Sequence, residues 1–303
     1  MRVAITGGTG FVGRHVAEKL TNDEVVIISR RTGLDLSDVS KLTEAFKNCE
    51  VVIHCSGINR EIGDQTYEKV HVEGTRNMVA AAKKAGVKKI IMMSFLNARP
   101  NSGSPYHETK WLGEEMIRNS GLEYVILKCG MVYGKGDHMI DHISHTLHTL
   151  PIFGAVGVTG SIPRKTIRPI PVEELVTIIV AAAENKLAQG TYEVVGDEEL
   201  TLTEAVKRIA EANKVKVKVI PLPIIAHKIL SQITEWTMKV PLVAKAQLRM
   251  LTEGISQAYN ADSLPENLKP KLPFNQEQIK KSLPEAGRFT FNDLLISKRF
   301  KNK

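Results

Sequence analysis

A cluster of glycines near the N-terminus constrains the fold of this chain more than any other feature. Gly7, Gly10 and Gly13 stand three residues apart, between an apolar strand pattern at Arg2–Thr6 and a helical pattern at Phe11–Leu20. Glycine at such a turn lets the backbone approach a pyrophosphate, and the helix that follows points free N–H groups at it. We therefore predict a dinucleotide-binding turn formed by Gly7, Thr9, Gly10, Phe11, Val12 and Gly13.

Strand and helix patterns alternate through the first half of the chain. After the first helix, apolar strand patterns fall at Glu24–Ser29, Val51–Cys55, Lys89–Met93 and Tyr124–Lys128, with helical patterns at Glu73–Ala85 and Tyr106–Asn119. Continuous apolar strands separated by helices indicate a parallel sheet that is covered on both faces. The predicted fold class is α/β, a Rossmann doubly wound parallel sheet with a smaller mixed, mainly helical C-terminal region.

The domain organisation is predicted from the change of pattern after residue 135. We expect an NAD(P)-binding Rossmann domain at 1–135 and a C-terminal substrate-binding region at 136–303, interleaved with the sheet by a strand and helix at 168–183. A further strand and helix are predicted at 191–212. Residues 221–257 read as two helices broken near Pro241, with apolar residues at helical spacing at Ile225, Ile229, Ile233 and Trp236.

The end of the second strand indicates which dinucleotide is bound. NAD-preferring domains place Asp or Glu there to bind the ribose 2′-hydroxyl. This chain has Ser29, Arg30 and Arg31 instead, and guanidinium groups pair well with a 2′-phosphate. The sequence therefore favours NADP(H) over NAD(H), the alternative being that Arg30 and Arg31 belong to an exposed turn.

Composition and charge limit where the protein is located and which kinds of partner it binds. The three cysteines have no metal-ligand or redox spacing, and no apolar run is long enough to span a membrane. A strand pattern directly after Met1 leaves no room for a signal peptide, so we expect a cytoplasmic protein. Residues 205–303 are strongly basic, which is compatible with an acidic partner or an anionic membrane surface. The alternative is an ordinary solvated surface, because the lysines are interleaved with apolar residues, and no aromatic stacking platform for nucleic acid accompanies them.

A Tyr-x-x-x-Lys motif, Tyr106 and Lys110, lies between the strand patterns at Lys89–Met93 and Tyr124–Lys128. With it, the glycine turn, Asp35-Leu36 and His54–Gly57, the chain resembles the short-chain dehydrogenase/reductase superfamily, in its extended or atypical branch of NAD(P)-dependent epimerase/dehydratase-like proteins. Residues 72–77, 132–134, 170–175 and 190–194 resemble further motifs of that branch. Residues 93–98 and the helical C-terminal region are most similar to the atypical subgroup that includes the nucleotide-binding accessory subunit of respiratory complex I.

The resemblance implies roles for individual residues. Tyr106 would be the general acid or base, and Lys110 would lower the pKa of Tyr106 and hold the nicotinamide ribose. A phenol of ordinary pKa is a poor base at neutral pH, and residues four apart on a helix share a face, so the pair is chemically reasonable. The remaining cofactor contacts that the resemblance implies are the adenine site and its ribose, formed by Asp35, Leu36, Cys55, Ser56 and Gly57.

Three positions depart from the family pattern. The family places Ser or Thr after the strand that precedes the Tyr-x-x-x-Lys motif, where it holds the substrate oxygen. Here Ser94 follows the strand pattern at Lys89–Met93, and Phe95 occupies the usual position. Ser94 is therefore a candidate catalytic residue, or else it only caps the strand. His71 stands where Asn is common, and Lys128-Cys129-Gly130 replaces an Arg-Pro pair. These departures leave the cofactor motifs intact.

A polar cluster follows the motif at residues 132–134. Its members fall at helical spacing, so several share one face: Asp137, His138, Asp141, His142, His145 and His148. Such spacing is compatible with a metal ion or with a polar helix beside the substrate cleft. We expect no metal, because the chemistry of the superfamily does not require one.

Two functions are compatible with these features. The first is an NADP(H)-dependent oxidoreductase or epimerase/dehydratase-like enzyme acting on a carbonyl, quinone-like or nucleotide-sugar substrate. Arg168 is the one well-placed cation for a sugar diphosphate, which favours an apolar carbonyl or quinone-like compound. The second is a low-turnover NADPH-binding structural or redox-sensing module whose basic, apolar C-terminal helices dock a protein partner or a membrane surface.

Overall fold

The computed structural model describes residues 1–156, 166–238, 257–285 and 287–289, and the chain divides into two compact units. Unit 1 comprises residues 1–130, 172–195 and 257–271, and unit 2 comprises residues 131–171, 196–256 and 272–303. The chain thus leaves unit 1 after Gly130, somewhat earlier than the predicted boundary at 135. It returns to unit 1 twice, so parts of the expected C-terminal region belong with the N-terminal sheet.

The elements up to residue 130 follow the predicted alternation of strands and helices. In chain order they are β1 (Arg2–Thr6), α1 (Phe11–Lys19), β2 (Glu24–Ile28), α2 (Val39–Ala45), β3 (Val51–His54), α3 (Gly74–Ala85), β4 (Lys89–Phe95), α4 (Pro105–Arg118) and β5 (Glu123–Cys129). A short π-helical segment, Glu68–Glu73, leads directly into α3.

The remaining described elements are shorter. They are β6 (Val132–Tyr133), α5 (His138–Thr149), β7 (Ile152–Val156), β8 (Thr166–Ile167), β9 (Ile170–Pro171), α6 (Val172–Ala183), β10 (Gly190–Val194), β11 (Leu200–Thr201), α7 (Leu202–Ala212), β12 (Lys218–Leu222), α8 (Ile224–Thr237), β13 (Asp262–Ser263) and α9 (Gln276–Ser282).

Unit 1 is built on a seven-stranded parallel sheet in the order β13-β10-β5-β4-β3-β1-β2. The chain moves outward from β1 to β2 and then crosses back to β3 on the other side of β1. This reversal is the topological switch point of a doubly wound sheet, where ligands bind at the carboxyl ends of the strands. The predicted Rossmann α/β fold is confirmed.

Burial explains why the strands of unit 1 read as continuous apolar runs. All four residues of β3 and six of the seven in β4 are buried, as expected when helices cover both faces of a sheet. Helix α1 packs against α6, while α2 and α4 both pack against α3. The core that α2 and α3 cover includes Ile28, Leu42, Phe46, Val52 and Met78.

The described part of unit 2 contains three two-stranded pairs. Strands β6 and β9 are parallel, as are β7 and β12, whereas β8 and β11 are antiparallel; helix α7 contacts both α5 and α9. The strand predicted within 168–183 is β9, which pairs with β6; the strand that extends the main sheet is instead β10.

Of the two helices predicted across 221–257, α8 is the first. The second, including Pro241, lies outside the described residues. Within the described ranges, every helix is too short or too polar to span a membrane.

A buried ion network ties α4 to β4 and β5 in unit 1. The Glu114 carboxylate is fully buried and accepts hydrogen bonds from the Ser94 hydroxyl at 2.5 Å, from Arg118 at 2.8 Å and from Lys128 at 3.3 Å. Lys128 also donates to the Ala98 carbonyl at 2.7 Å. Burying a charge is costly unless it is paired and hydrogen-bonded, so the members of this network depend on one another.

Glu114→Gln is expected to lower the free energy of unfolding by about 3 kcal/mol, because the buried Lys128 ammonium loses its counter-charge. Glu115→Gln is the matched control: Glu115 is the next residue of α4 and also contacts Arg118, but it is partly exposed, so its loss is expected to cost under about 1 kcal/mol. Urea unfolding of both variants measures the difference. Equal losses in the two variants would contradict the account of the network.

Candidate functional site

The turn after β1 requires glycine for two steric reasons. Gly7 has a φ of +68°, and a Cβ there would lie 2.8 Å from the Ser56 backbone nitrogen in the segment after β3. A Cβ on Gly13, in the first turn of α1, would lie 2.3 Å from the Gly7 carbonyl oxygen. The glycines therefore allow the turn, the segment after β3 and the start of α1 to come together.

The N-terminus of α1 is left open to a ligand. Its N-cap residue is Gly10, which supplies no side-chain acceptor, and the first turn contains no acidic residue. The first backbone N–H groups of a helix lack intrahelical partners and form the positive end of the helix dipole. An uncapped start next to a glycine turn fits the pyrophosphate of a dinucleotide.

A cleft of about 750 Å³ lies at the switch point of the sheet in unit 1. Ten of the predicted cofactor residues line it: Gly7, Thr9, Gly10, Arg30, Arg31, Asp35, Leu36, Cys55, Ser56 and Gly57. The other five predicted cofactor residues do not line the cleft. Three of them are in the first turn of α1 (Phe11, Val12 and Gly13), and two are on α4 (Tyr106 and Lys110). Sequence reasoning missed Lys69, which belongs to no motif, and it did not predict that Ser29 and Asn77 line the cleft, although both lie in segments that it had singled out.

The predicted phosphate-binding arginines lie at the edge of this cleft. Arg30 and Arg31 form a short 3₁₀ turn after β2, fixed by a capping box in which Ser29 accepts from the Arg31 N–H. Both side chains are exposed, and neither forms an ion pair with a described residue. Ser29 also hydrogen-bonds Thr9 at 2.7 Å, which links the arginine turn to the glycine turn.

A buried neutral histidine joins the ends of β1 and β3. His54 Nδ1 lies 2.6 Å from the Thr6 hydroxyl, and its Nε2 lies 3.0 Å from the Thr75 hydroxyl of α3. Burial, with a smaller contribution from the Lys110 charge, lowers the pKa of His54 to about 3. His54 therefore positions the strand ends as a neutral ring.

A second buried histidine connects the segment after β3 to α4. His71 lies in the π-helical segment; its Nε2 accepts from the Ile58 N–H at 3.1 Å and its Nδ1 lies 3.1 Å from the Thr109 hydroxyl. The first contact requires an unprotonated Nε2, so Nδ1 carries the proton and donates to Thr109. Burial, followed by the Lys110 charge, lowers the pKa of His71 to about 2. The sequence marked His71 as a departure from the family pattern but did not reveal this positioning role.

Tyr106 lies among aromatic rings near the start of α4. Its ring centroid is 5.2 Å from that of Phe95, 5.5 Å from Tyr67 and 5.7 Å from His71. Its hydroxyl donates a long hydrogen bond of 3.4 Å to the side-chain oxygen of Asn59. Burial, and to a smaller extent the neighbouring phenol of Tyr67, raises the pKa of Tyr106. The phenol is therefore protonated at neutral pH.

Lys110 lies one helical turn after Tyr106, as the motif predicts, but its ammonium is directed elsewhere. Its Nζ donates to the Met93 carbonyl at 3.1 Å and lies 3.1 Å from where a Cβ on Gly57 would stand. Burial lowers the pKa of Lys110, while Cys129, Glu114 and Cys55 oppose that shift. The expected lowering of the Tyr106 pKa by Lys110 is not found, because burial of the phenol dominates and raises it.

The structure places Ser94 on the buried side of β4. Its hydroxyl donates to Glu114 at 2.5 Å, so it belongs to the ion network that joins α4 to the sheet. Of the two interpretations of Ser94, the geometry favours the structural one. The side chain beside Tyr106 is instead the ring of Phe95.

The polar cluster predicted after residues 132–134 forms helix α5 of unit 2. Asp137 caps the helix by accepting from the Met139 and Ile140 N–H groups, and burial raises the pKa of its carboxyl to about 6. His148 hydrogen-bonds Asn213 on α7. Among the described residues, no group of three or more His, Cys, Asp or Glu side chains is arranged to hold a metal ion.

Comparison with known proteins identifies the family. The sequence model of the NAD dependent epimerase/dehydratase family matches residues 3–196, well over half of the chain. The chain belongs to this family. One family relative is the mitochondrial NADH dehydrogenase (ubiquinone) 1 alpha subcomplex subunit 9 of Mus musculus, which is 28% identical over 264 residues, covering 78% of this chain and 69% of that protein. The predicted resemblance to the epimerase/dehydratase-like branch and its complex I subgroup is confirmed.

Other relatives share the family fold. Ceramide reductase of Caulobacter vibrioides is 33% identical over 152 residues, covering 45% of this chain and 47% of that protein, so the chain spans about half the length of that relative. Among solved structures, MoeE5 in complex with UDP-glucuronic acid and NAD is 18% identical with a TM-score of 0.67, covering 93% of this chain and 97% of that one. The dTDP-4-dehydrorhamnose reductase of Bacillus anthracis in complex with NADP is 19% identical with a TM-score of 0.65, covering 93% and 98%.

The two neutral histidines predict how this family member responds to acid. Their folded-state pKa values, about 3 for His54 and about 2 for His71, lie below the 6.5 of an unfolded chain. The unfolded state therefore takes up protons first, so the stability is complete above pH 6.5 and falls as the pH drops toward 3. Each histidine is expected to contribute a loss on the order of 1 kcal/mol per pH unit in that window.

Urea unfolding between pH 7.5 and pH 5 measures this slope before most carboxylates are protonated. His71→Gln is expected to reduce the slope, while His15→Gln, at a partly exposed position on α1, leaves it unchanged. Asp137 acts in the opposite sense because its folded-state pKa is raised, but one group does not offset two histidines. A slope that is the same in wild type and His71→Gln would contradict a buried neutral His71.

Proposed function

We propose that this protein is an NADPH-dependent reductase of an apolar carbonyl compound, with Tyr106 as the proton donor. The observation that carries the proposal is the buried, protonated Tyr106 phenol in the same unit as a cleft built for a dinucleotide. A phenol that stays protonated serves as a general acid, which a carbonyl oxygen needs when it becomes an alcohol. The same phenol is a poor base for the reverse oxidation.

The cleft residues support a nicotinamide dinucleotide as the cofactor. The backbone of the Gly7 turn and the start of α1 would hold the pyrophosphate. Leu36 belongs to the segment expected to hold adenine, and its carbonyl accepts a hydrogen bond from the Asn77 side chain. Arg30 and Arg31 would hold a 2′-phosphate, since no carboxylate ends β2. When bound, NADPH would supply the hydride for the carbonyl carbon.

The residues around Tyr106 position its proton. Asn59 accepts the hydrogen bond from the Tyr106 hydroxyl. Because this hydrogen bond is long, a substrate oxygen could replace the Asn59 amide as the acceptor. His71 holds the adjoining segment to α4 through Ile58 and Thr109. Lys110, fixed by the Met93 carbonyl, is the cation that would bind the ribose hydroxyl groups. In this proposal the Tyr106–Lys110 pair remains the catalytic pair of the enzyme.

The substrate class follows from the walls beside Tyr106. Phe95 and Tyr67 contact its ring, and these aromatic surfaces favour an apolar group next to the carbonyl. The relationship to ceramide reductase over 152 residues of the chain supports a carbonyl reduction of this kind. Nucleotide-sugar enzymes among the solved structures are under 25% identical and support the fold alone.

One observation favours a second function, a low-turnover NADPH-binding module. The Ser94 hydroxyl is held by Glu114, so it is not free to orient a substrate oxygen, and Phe95 has no polar group to replace it. The similarity to a subunit of NADH dehydrogenase is compatible with such a role. In that case NADPH would bind as tightly as in the enzyme, without turnover.

NADPH is expected to bind at least tenfold more tightly than NADH, because one charged contact to a 2′-phosphate contributes about 1.5–3 kcal/mol. Arg30→Ala is expected to remove most of this preference while leaving NADH affinity within about threefold. Isothermal titration calorimetry measures both cofactors. Arg76→Ala, an exposed arginine on α3 that does not line the cleft, serves as the control, and equal affinities of wild type for NADPH and NADH would refute the preference.

Tyr106→Phe is expected to lower the rate of carbonyl reduction at least 100-fold while NADPH affinity stays within about threefold, since the loss of a general acid typically costs 10²–10⁴-fold. The assay follows NADPH absorbance with long-chain aldehydes, ketones and quinones, and with a UDP-sugar as the competing class. The raised pKa of Tyr106 predicts a rate that does not fall between pH 7 and pH 9.

Tyr192→Phe is the matched control, because Tyr192 is on β10 and its hydroxyl binds only a nearby carbonyl among the described groups. If the wild type and Tyr106→Phe both bind NADPH but neither turns over any of these substrates, the reductase is excluded and the NADPH-binding module remains. Turnover of the UDP-sugar alone would overturn the apolar substrate class.

A further inference from the structure

Helix α8 in unit 2 has its polar and apolar faces reversed relative to an ordinary surface helix. The buried face carries His227, Ser231 and Thr234. Each of these side chains hydrogen-bonds a backbone carbonyl: His227 that of Gly154 on β7, Ser231 and Thr234 those of the preceding turn of α8. The face that packs inward is therefore polar but hydrogen-bonded, so its burial needs no apolar side chains.

The opposite face of α8 is an isoleucine stripe, Ile225, Ile229 and Ile233. These residues follow one another at intervals of four, so they lie along one side of the helix. Their exposed fractions are 68%, 57% and 52%. A surface helix normally turns such a stripe toward the core, and a contiguous exposed apolar patch is a signature of an interaction site.

The unit that carries the isoleucine stripe is basic. Unit 1 contains equal numbers of basic and acidic residues, so the whole net charge of +8 belongs to unit 2. Lys228 is exposed on α8 beside the stripe, and Lys214, Lys216 and Lys218 are exposed in the segment that leads to β12 and α8. None of these four lysines forms an ion pair with a residue in the described ranges.

The chemistry of this face distinguishes among its candidate occupants. A second copy of the chain would bring lysines against lysines. Residues 239–256 are also basic by sequence, because they contain Lys239, Lys245 and Arg249 but a single acidic residue, Glu253. An apolar stripe with a lysine beside it, on a basic unit, is instead typical of a helix that lies in the surface of an anionic bilayer.

We propose that α8 binds the surface of a membrane that contains anionic lipids, with Ile225, Ile229 and Ile233 at the acyl boundary and Lys228 at the headgroups. The association is peripheral and lies outside the proposed reductase chemistry. It does not depend on cofactor binding or on the identity of the substrate, so it stands or fails separately from the proposed function.

Flotation of the full chain with vesicles tests the proposal. Binding is expected to vesicles of phosphatidylcholine with phosphatidylglycerol, to be much weaker with phosphatidylcholine alone, and to fall as salt is raised. Ile229→Gln is expected to weaken the partition about tenfold through lost apolar contact, and Ile225→Glu with Ile229→Glu to abolish it. Lys228→Glu is expected to weaken binding to the anionic vesicles and to have little effect with the neutral ones.

The matched control is Ile62→Glu, because Ile62 is another isoleucine with an exposed fraction of 58%, located in unit 1. Thermal unfolding checks that each variant is folded. The proposal would be overturned if the chain did not bind vesicles, or if it bound neutral and anionic vesicles equally. It would also be overturned if Ile62→Glu lost as much vesicle binding as the variants of the isoleucine stripe. A wild-type dimer that Ile229→Gln converts to monomer would also overturn it and assign the stripe to self-association.

Discussion

The close approach of the Gly7 backbone to Ser56 is the contact on which the candidate site depends. It brings the turn after β1 against the segment after β3, and a side chain at Gly7 would force the two apart. From Ser56 the chain runs to Ile58, which His71 holds, and His71 in turn holds Thr109 on α4. A continuous series of contacts therefore links the phosphate turn to the helix that carries Tyr106 and Lys110.

Burial decides the protonation states in this part of unit 1. Desolvation keeps His54 and His71 neutral, raises the pKa of Tyr106 and lowers that of Lys110. All four shifts favour the uncharged form of a buried group, as a medium of low dielectric constant requires. The two histidines can therefore serve as fixed hydrogen-bonding elements, while the phenol keeps the proton that a reduction consumes. The positioning groups do not titrate near neutral pH, and the proton donor does not lose its proton there.

Local patterns predicted the sheet and the cofactor cleft, because glycine spacing and apolar runs act over a few residues. The same reasoning could not find the partner of Ser94, since Glu114 is 20 residues away and a glutamate on a helix ordinarily faces solvent. Nor could it foresee that Lys110 points to Met93 rather than to Tyr106. The motif fixes only the shared helix face, and the direction of a long side chain depends on carbonyls supplied by other strands. Pairs such as β6 with β9 are two residues long and leave no periodic signal.

The periodicity of α8 illustrates a different limit. Isoleucines at intervals of four predict an amphipathic helix, but periodicity does not say which face turns inward. That choice depends on whether the other face can be buried without leaving polar groups unsatisfied. In α8 it can, because Ser231 and Thr234 bond carbonyls of their own helix and His227 bonds β7. An inward polar face of this kind leaves the apolar stripe for a contact outside the unit, and the positive charge of Lys228 beside the stripe favours an anionic surface as that contact.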